Sequence, residues 1–283
     1  MIVSTINVNG IRAAVKQRSA ANLGLLAWLT DTTADVVCLQ ETRADDEQLA
    51  AALAPALADG WHLASAYAHV KGRNGVAILS RHPFSAVRVG SGSEEFALHG
   101  RYVEADVRVS DSDLTVASVY IQTGEADTPR QLEKERFLAA LAHRMAMLSA
   151  GGPDAVVCGD WNIAHTDNDI KNWRGNVKKS GFLPSERQWL TDLLDSGWVD
   201  VVRVLHPDVP GPYTCPPQAG GAPRSWRGRA FDNDAGWRID YQLATQGLAA
   251  RASAARVERS AAYALRWSDH APVTVEYLAA ARS

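Results

Sequence analysis

The chain has 283 residues, 46% of them hydrophobic and 22% charged, the balance of a soluble globular protein, and no uncharged stretch is long enough to span a bilayer. A formal net charge of −3 gives no global attraction for nucleic acid, so such a partner would have to be held by local fields. Cys38, Cys158 and Cys215 are odd in number and lack metal-ligand spacing, which fits reduced thiols and, with no basic-then-apolar leader in "MIVSTINVNG", a cytoplasmic protein.

In chain order, "TINVNG" is an apolar strand running into a carboxamide, and "DVVCLQ" reads as a strand buried on both faces. "GVAILS" is a further strand. "RYVEADVRV" alternates, with Val103, Ala105, Val107 and Val109 on one face and Tyr102, Glu104, Asp106 and Arg108 on the other, the pattern of a half-buried strand. "LTVASVY" follows. In "QLEKERFLAALAHRMAML", Leu138, Leu141, Met145 and Leu148 fall at helical spacing. "DAVVCG" is a second buried strand, with Cys38 and Cys158 as core residues. "PSERQWLTDLL" predicts a helix with Ser185 and Gln188 as its capping box. The Pro/Gly-rich run from Pro207 to Arg224 predicts a surface loop, and "PVTVEY" a last strand. No low-complexity linker divides the chain, so residues 1–283 are expected to form one α/β domain of two packed sheets with outer helices.

The stretch "CGDWNIAH" places an acid, an amide and an imidazole directly after a buried run. Similar junctions recur: "TINVNG", "VVCLQE", "WRIDY" and "RWSDH" each bring polar groups to a strand end. If those strands lie side by side, Asn7, Glu41, Asp160, Asn162, Asp240, Asp269 and His270 converge on one rim. Carboxylates crowded in that way repel and raise one another's pKa unless a cation holds them, and oxygen donors suit Mg²⁺ or Mn²⁺ rather than zinc. Two stretches, "KNWRGNVKK" (Lys171 to Lys179) and "RSWRGR" (Arg224 to Arg229), interleave cations with Trp and Gly, a composition that suits a phosphate backbone with stacking.

"TINVNGIRA", "CLQET", "GDWNIAHTDNDIKNWRGN", "SGFLPSER", "GWRIDYQL" and "SDHAP", taken together and in this order, resemble the signature blocks of the exonuclease III type of apurinic/apyrimidinic (AP) endonuclease, within the DNase I-like endonuclease/exonuclease/phosphatase superfamily. The resemblance implies a four-layer α/β sandwich of two mixed β-sheets flanked by helices. It implies Mg²⁺-dependent cleavage of DNA phosphodiesters at abasic sites and from 3′ ends, with Mn²⁺ able to substitute, in a monomer without a membrane partner. By position, Glu41 is the expected metal ligand, with Asn7, Asp269, Asp160, Asn162 and His270 in the metal site. Asp160 is expected to orient or deprotonate the attacking water, and Asn162 to hold the phosphate or metal. His270, paired with Asp240, and Tyr120 are expected to face the scissile phosphate, while His165 is structural. Asn176, Trp226, Arg227, Phe231 and Trp237 are the expected DNA contacts. Two departures stand out. Ile6 occupies a position where many members carry an aromatic residue, and "CPPQAGGAP" replaces an aromatic pair in the region that shapes the sugar pocket. A phosphatase acting on lipid head groups or nucleotides is an alternative, against which the cationic Trp-bearing loops speak. A catalytically silent nucleic-acid binder is another, against which the intact set of acids speaks.

Overall fold

The apolar runs pair into two sheets. The structure, a computed structural model, describes residues 1–109, 112–150, 152, 154–215 and 230–279. In chain order its strands are β1 (Ile2–Asn7), β2 (Val36–Gln40), β3 (His62–Ala66), β4 (Val76–Ser80), β5 (Phe84–Val89), β6 (Tyr102–Val109), β7 (Ser112–Tyr120), β8 (Asp154–Asp160), β9 (Trp198–Asp200), β10 (Asp240–Thr245), β11 (Ala252–Val257) and β12 (Val273–Tyr277). Its helices include α1 (Ile11–Ala14), α2 (Leu25–Asp31), α3 (Asp46–Ala58), α4 (Pro129–Ser149), α5 (Pro184–Asp195) and α6 (Val201–Leu205). One six-stranded sheet runs β11-β12-β1-β2-β4-β3 and the other β5-β6-β7-β8-β10-β9. Within them β1 and β2 are parallel, as are β7 and β8, because helical crossovers join each pair; the other neighbours are antiparallel.

The core has three storeys. Between the sheets, Val3, Val36, Cys38 and Ile78 meet Val103, Val116, Val156 and Cys158. The outer face of the first sheet buries Ile6, Val37, Leu39 and Leu79 under Leu25, Leu29, Leu49 and Leu53 of α2 and α3. The outer face of the second buries Val119, Val157 and Tyr241 under Phe137, Leu141 and Met145 of α4 and Leu190 and Leu193 of α5. Strands covered on both faces have no solvated side, which is why they read as unbroken apolar runs. The result is the expected helix–sheet–sheet–helix sandwich. Polar keys cross the inter-sheet layer: Gln40 Nε2 donates to Ser118 Oγ at 2.9 Å, and Gln242 Nε2 to the carbonyls of Val3 (2.8 Å) and Val273 (3.0 Å).

Two local expectations are corrected. The polar face of β6 is solvated only toward its end, where Asp106 is half-buried and Arg108 exposed; Glu104 is fully buried and accepts from Tyr102, Arg88 and Arg144, so the strand brings this acid in with counter-charges. Helix α5 starts at Pro184, which has no N–H to leave unsatisfied, and the acid that caps it is Glu186, accepting from the N–H groups of Leu183 (3.1 Å) and Gly181 (2.6 Å). Gln188 instead bonds Asp192 on the surface. Among the described residues no helix is long and apolar enough to cross a membrane.

Candidate active site

Parallel and antiparallel pairing together decide where the acids go. Asn7 ends β1, and Glu41 follows the end of the parallel β2; residues 268–270 precede β12, which is antiparallel to β1 and so begins at that same edge. In the second sheet Tyr120 and Asp160 end the parallel β7 and β8 in register with each other, and Asp240 opens the antiparallel β10 opposite Asp160. Residues far apart in sequence therefore share one rim. The backbone there is held in an uncommon conformation: Asn9, Glu41 and Asn162, each within two residues of a strand end, have φ of 48°, 51° and 49°.

Asn7 joins the sheets. Its Nδ2 donates to Glu41 Oε1 at 2.9 Å and to Asp160 Oδ2 at 2.8 Å, while Arg43 takes the other Glu41 oxygen. Asp160 accepts on Oδ1 from the Asn162 N–H (3.0 Å) and on Oδ2 from Asn162 Nδ2 (3.2 Å). Burial, with the nearby charges of Asp240 and Glu41, pushes the Asp160 carboxyl up to about 8, although His270 and Asn7 oppose the rise. His270 Nδ1 stands 2.8 Å from Asp240 Oδ2, and its Nε2 lies 3.9 Å from Asp160 Oδ2. Burial favours the neutral ring, but Asp240 and Cys215 outweigh it and raise the imidazole well above its ordinary value. Tyr120 is buried beside Glu41 and Asp160, and burial together with those charges pushes its phenol well up, so it keeps its proton. Asp269 accepts from Asn9 Nδ2 at 2.9 Å.

The remaining predicted residues are less central. Trp237 is half-buried at the entry to β10, its ring close to Gly181, and its backbone pairs with that of Cys215. Phe231 stacks edge-on with Tyr263 and lines the cavity that Asp269 and His270 also line. Asn176 sits in a turn, its amide donating to the Asn172 carbonyl at 2.7 Å. Trp226 and Arg227, with half of the Pro/Gly-rich loop (216–224), lie outside the described residues. His165 bonds Thr191 of α5 at 2.9 Å, as a structural residue would. Sequence reading passed over Thr123, whose hydroxyl donates to Asn162 Oδ1 (3.1 Å), and Lys134, whose ammonium donates to the Asn162 carbonyl (2.9 Å).

The donor set fits a hard cation. Asn7, Glu41, Asp160 and Asp269 offer only oxygen, and burial, with the charges of Asp240 and Glu41, raises the Asp160 carboxyl, a rise that a bound cation would oppose. Ligand atoms of Asp160, Asp240 and His270 also lie within 4.8 Å of one another. The His270 nitrogen facing Asp240 is already engaged, however, and a protonated ring has no lone pair to give.

The sequence profile described as the Endonuclease/Exonuclease/phosphatase family matches residues 4–270. The chain belongs to that family. It is 31% identical over 267 residues to the exodeoxyribonuclease of Bacillus subtilis (strain 168), covering 94% of this chain and 95% of that one. The solved structure of a 3′ phosphatase from Neisseria, bound to product DNA hairpin, matches with a TM-score of 0.83 at 31% identity over 98% of this chain and 99% of that one. An AP endonuclease from Archaeoglobus fulgidus matches with a TM-score of 0.79 at 26% identity, with coverage of 98% and 99%. Within the endonuclease/exonuclease/phosphatase family the chain is thus a hydrolase of the exonuclease III type.

Proposed function

We propose that the chain is a divalent-cation-dependent DNA repair nuclease that hydrolyses the phosphodiester 5′ to abasic sites and trims DNA 3′ ends as a 3′–5′ exonuclease and 3′-phosphatase. The observation that carries this reading is the meeting, at one sheet rim, of the Asp160–Asn162 pair with an imidazole held by Asp240. In this reading Asp160 orients the attacking water and takes its proton as the new P–O bond forms. Asn162 holds the Asp160 carboxylate in line and meets the phosphate as charge develops. His270, kept protonated by Asp240, donates from Nε2 to a non-bridging phosphate oxygen, a donor's part and not a ligand's. Tyr120, its proton retained, donates toward the 3′-oxygen as the P–O bond to it breaks. Glu41, with Asn7 and Asp269 close by, would hold Mg²⁺ or Mn²⁺, which supplies positive charge to the phosphate.

DNA would be gripped by the exposed Lys171–Lys179 stretch with Asn176, while Trp237 and Phe231 flank the sugar. Trp226 and Arg227 join them on sequence grounds alone. A second reading, a 3′-end enzyme with little abasic incision, is favoured by the higher identity to the Neisseria 3′ phosphatase (31%) than to the Archaeoglobus AP endonuclease (26%). One experiment separates the two. Matched duplexes carrying an abasic site, a recessed 3′ end or a 3′-phosphate are digested in Mg²⁺, in Mn²⁺ and in EDTA, with Glu41→Gln alongside. The proposal expects cleavage in both metals, none in EDTA, and a loss of at least about a hundredfold for Glu41→Gln in a folded protein. Full activity in EDTA would refute it, and cleavage confined to 3′ ends would select the second reading.

A further inference from the structure

Asn162 is gripped by groups that stand outside the reacting edge. On the α4 side, Lys134 is fully buried, donates to the Asn162 carbonyl at 2.9 Å and pairs at 2.7 Å with Glu186, which is equally buried. Glu186 is a hub: it accepts from the N–H groups of Gly181 (2.6 Å) and Leu183 (3.1 Å), from Ser180 Oγ (3.0 Å) and from Gln131 Nε2 (3.1 Å). Gly181 lies so close to that same Asn162 carbonyl that a Cβ would stand 3.0 Å from it. On the other side Thr123 Oγ1 donates to Asn162 Oδ1 at 3.1 Å, and Asn162 Nδ2 donates to the Ile121 carbonyl at 2.8 Å as well as to Asp160.

Every direction of the amide is therefore specified. Rotating it by half a turn would aim Oδ1 at the Ile121 carbonyl and at Asp160, oxygen against oxygen. The turn itself sits at φ 49°, a left-handed conformation that asparagine tolerates better than most other non-glycine residues. Packing alone does not require the charges. Helix α4 already buries Phe137, Leu138, Leu141 and Met145, and a well-packed apolar pair can match or exceed a buried ion pair in stability.

We propose that Lys134, with Thr123 as a second arm, is a positioning residue for phosphodiester hydrolysis. Together they lock the Asn162 turn so that its backbone and side-chain N–H groups stay on Asp160. The inference rests on the reading of Asp160 and Asn162 as the reacting edge.

The test uses whichever duplex the wild-type enzyme cleaves, with Mg²⁺, and compares Thr123→Val, the charge-free pair Lys134→Met with Glu186→Gln, Asn162→Ala, and each of the first two combined with Asn162→Ala. Thr123→Val, at unchanged Tm, should lower kcat about tenfold with KM within about twofold, and the charge-free pair should lower kcat by about tenfold to a hundredfold, since small misplacements of reacting groups are that costly. In the Asn162→Ala background Thr123→Val should cost less than about twofold more, because the side chain it positions is gone, and the charge-free pair should keep only the part of its loss that passes through the residue-162 N–H on Asp160. Wild-type kcat in Thr123→Val, or losses that multiply fully with Asn162→Ala, would overturn the proposal. Thr123→Val keeps the test decisive should the charge-free pair not fold. Unimpaired turnover in Asn162→Ala itself would instead sink the assignment of the reacting edge, and this inference with it.

Discussion

Replacing Arg238 by methionine should unseat the strand that delivers Asp240. The Arg238 guanidinium is fully buried, with Nε 2.6 Å from Asp169 Oδ1 and its two terminal nitrogens 3.1 and 2.7 Å from the oxygens of Asp200. Both acids are buried, and Arg203 shares Asp169. Removing one partner of a buried ion pair typically costs about 3–5 kcal/mol, because a charge is left in low dielectric without a counterpart. An independent figure comes from Asp169. Burial resists its ionisation, yet Arg238 and Arg203 hold its carboxyl at about 2 instead of 3.8, worth about 2.4 kcal/mol in favour of the charged form. Arg203 supplies part of that figure and stays in place in the variant. A depressed carboxyl stabilises the fold above its ordinary value and loses that contribution as pH falls toward the folded one, so the gap between wild type and variant should narrow on acidification below pH 4. Urea unfolding at pH 7 should show a loss of about 3–5 kcal/mol for Arg238→Met, or roughly ten degrees in Tm for a chain of this size. Adding Asp200→Asn should recover part of it by removing the stranded charge, whereas Asp169 keeps Arg203 as a partner. A loss below about 1 kcal/mol, or an Arg238→Met/Asp200→Asn double variant no better than Arg238→Met, would refute the reasoning.

Asp240→Asn removes the group that outweighs burial at His270. The ring should then lose its proton at lower pH, moving the alkaline limb of the pH–rate profile toward acid and cutting turnover at pH 8 by about tenfold or more, with His270 followed by NMR. The stability the pair provides is complete below the imidazole's ordinary value and lost as pH rises through the raised one, so wild type and variant should converge in alkali. Gly159 has φ 153°, and a Cβ there would overlap the Val119 carbonyl of the neighbouring parallel strand. Gly159→Ala should therefore cost about 1–3 kcal/mol in urea unfolding and lower kcat by displacing Asp160; wild-type values for both would show that β8 can shift freely.

The strands and the rim were legible because they rest on local signals. A buried strand such as "DVVCLQ" announces itself by its length and lack of alternation, and a polar group just after such a run has nowhere to go but the sheet edge. Glu104 was read as solvated because alternation reports side-chain direction and not what covers it; the covering arginines arrive from β5 and α4. Ser185 and Gln188 had the spacing of a capping box, but Pro184 starts the helix two residues earlier than that cap would and makes Glu186 the acid in reach. Lys134 gave no signal at all. On a helical wheel a lysine belongs to the wet face, and only the fold shows that Glu186 waits for it across two helices.

That Asn7 binds Glu41 with one sheet behind it and Asp160 with the other has a kinetic meaning. Neither sheet alone carries every group of the rim, and the Asn7–Asp160 contact that joins its halves links residues more than 150 positions apart, the kind of closure expected to come late because a long loop must close first. Gln40, Ser118 and Gln242 span the same inter-sheet layer. Asn7 and His270 thus meet Asp160 only where the two sheets are docked, and the rim is complete only in the closed sandwich.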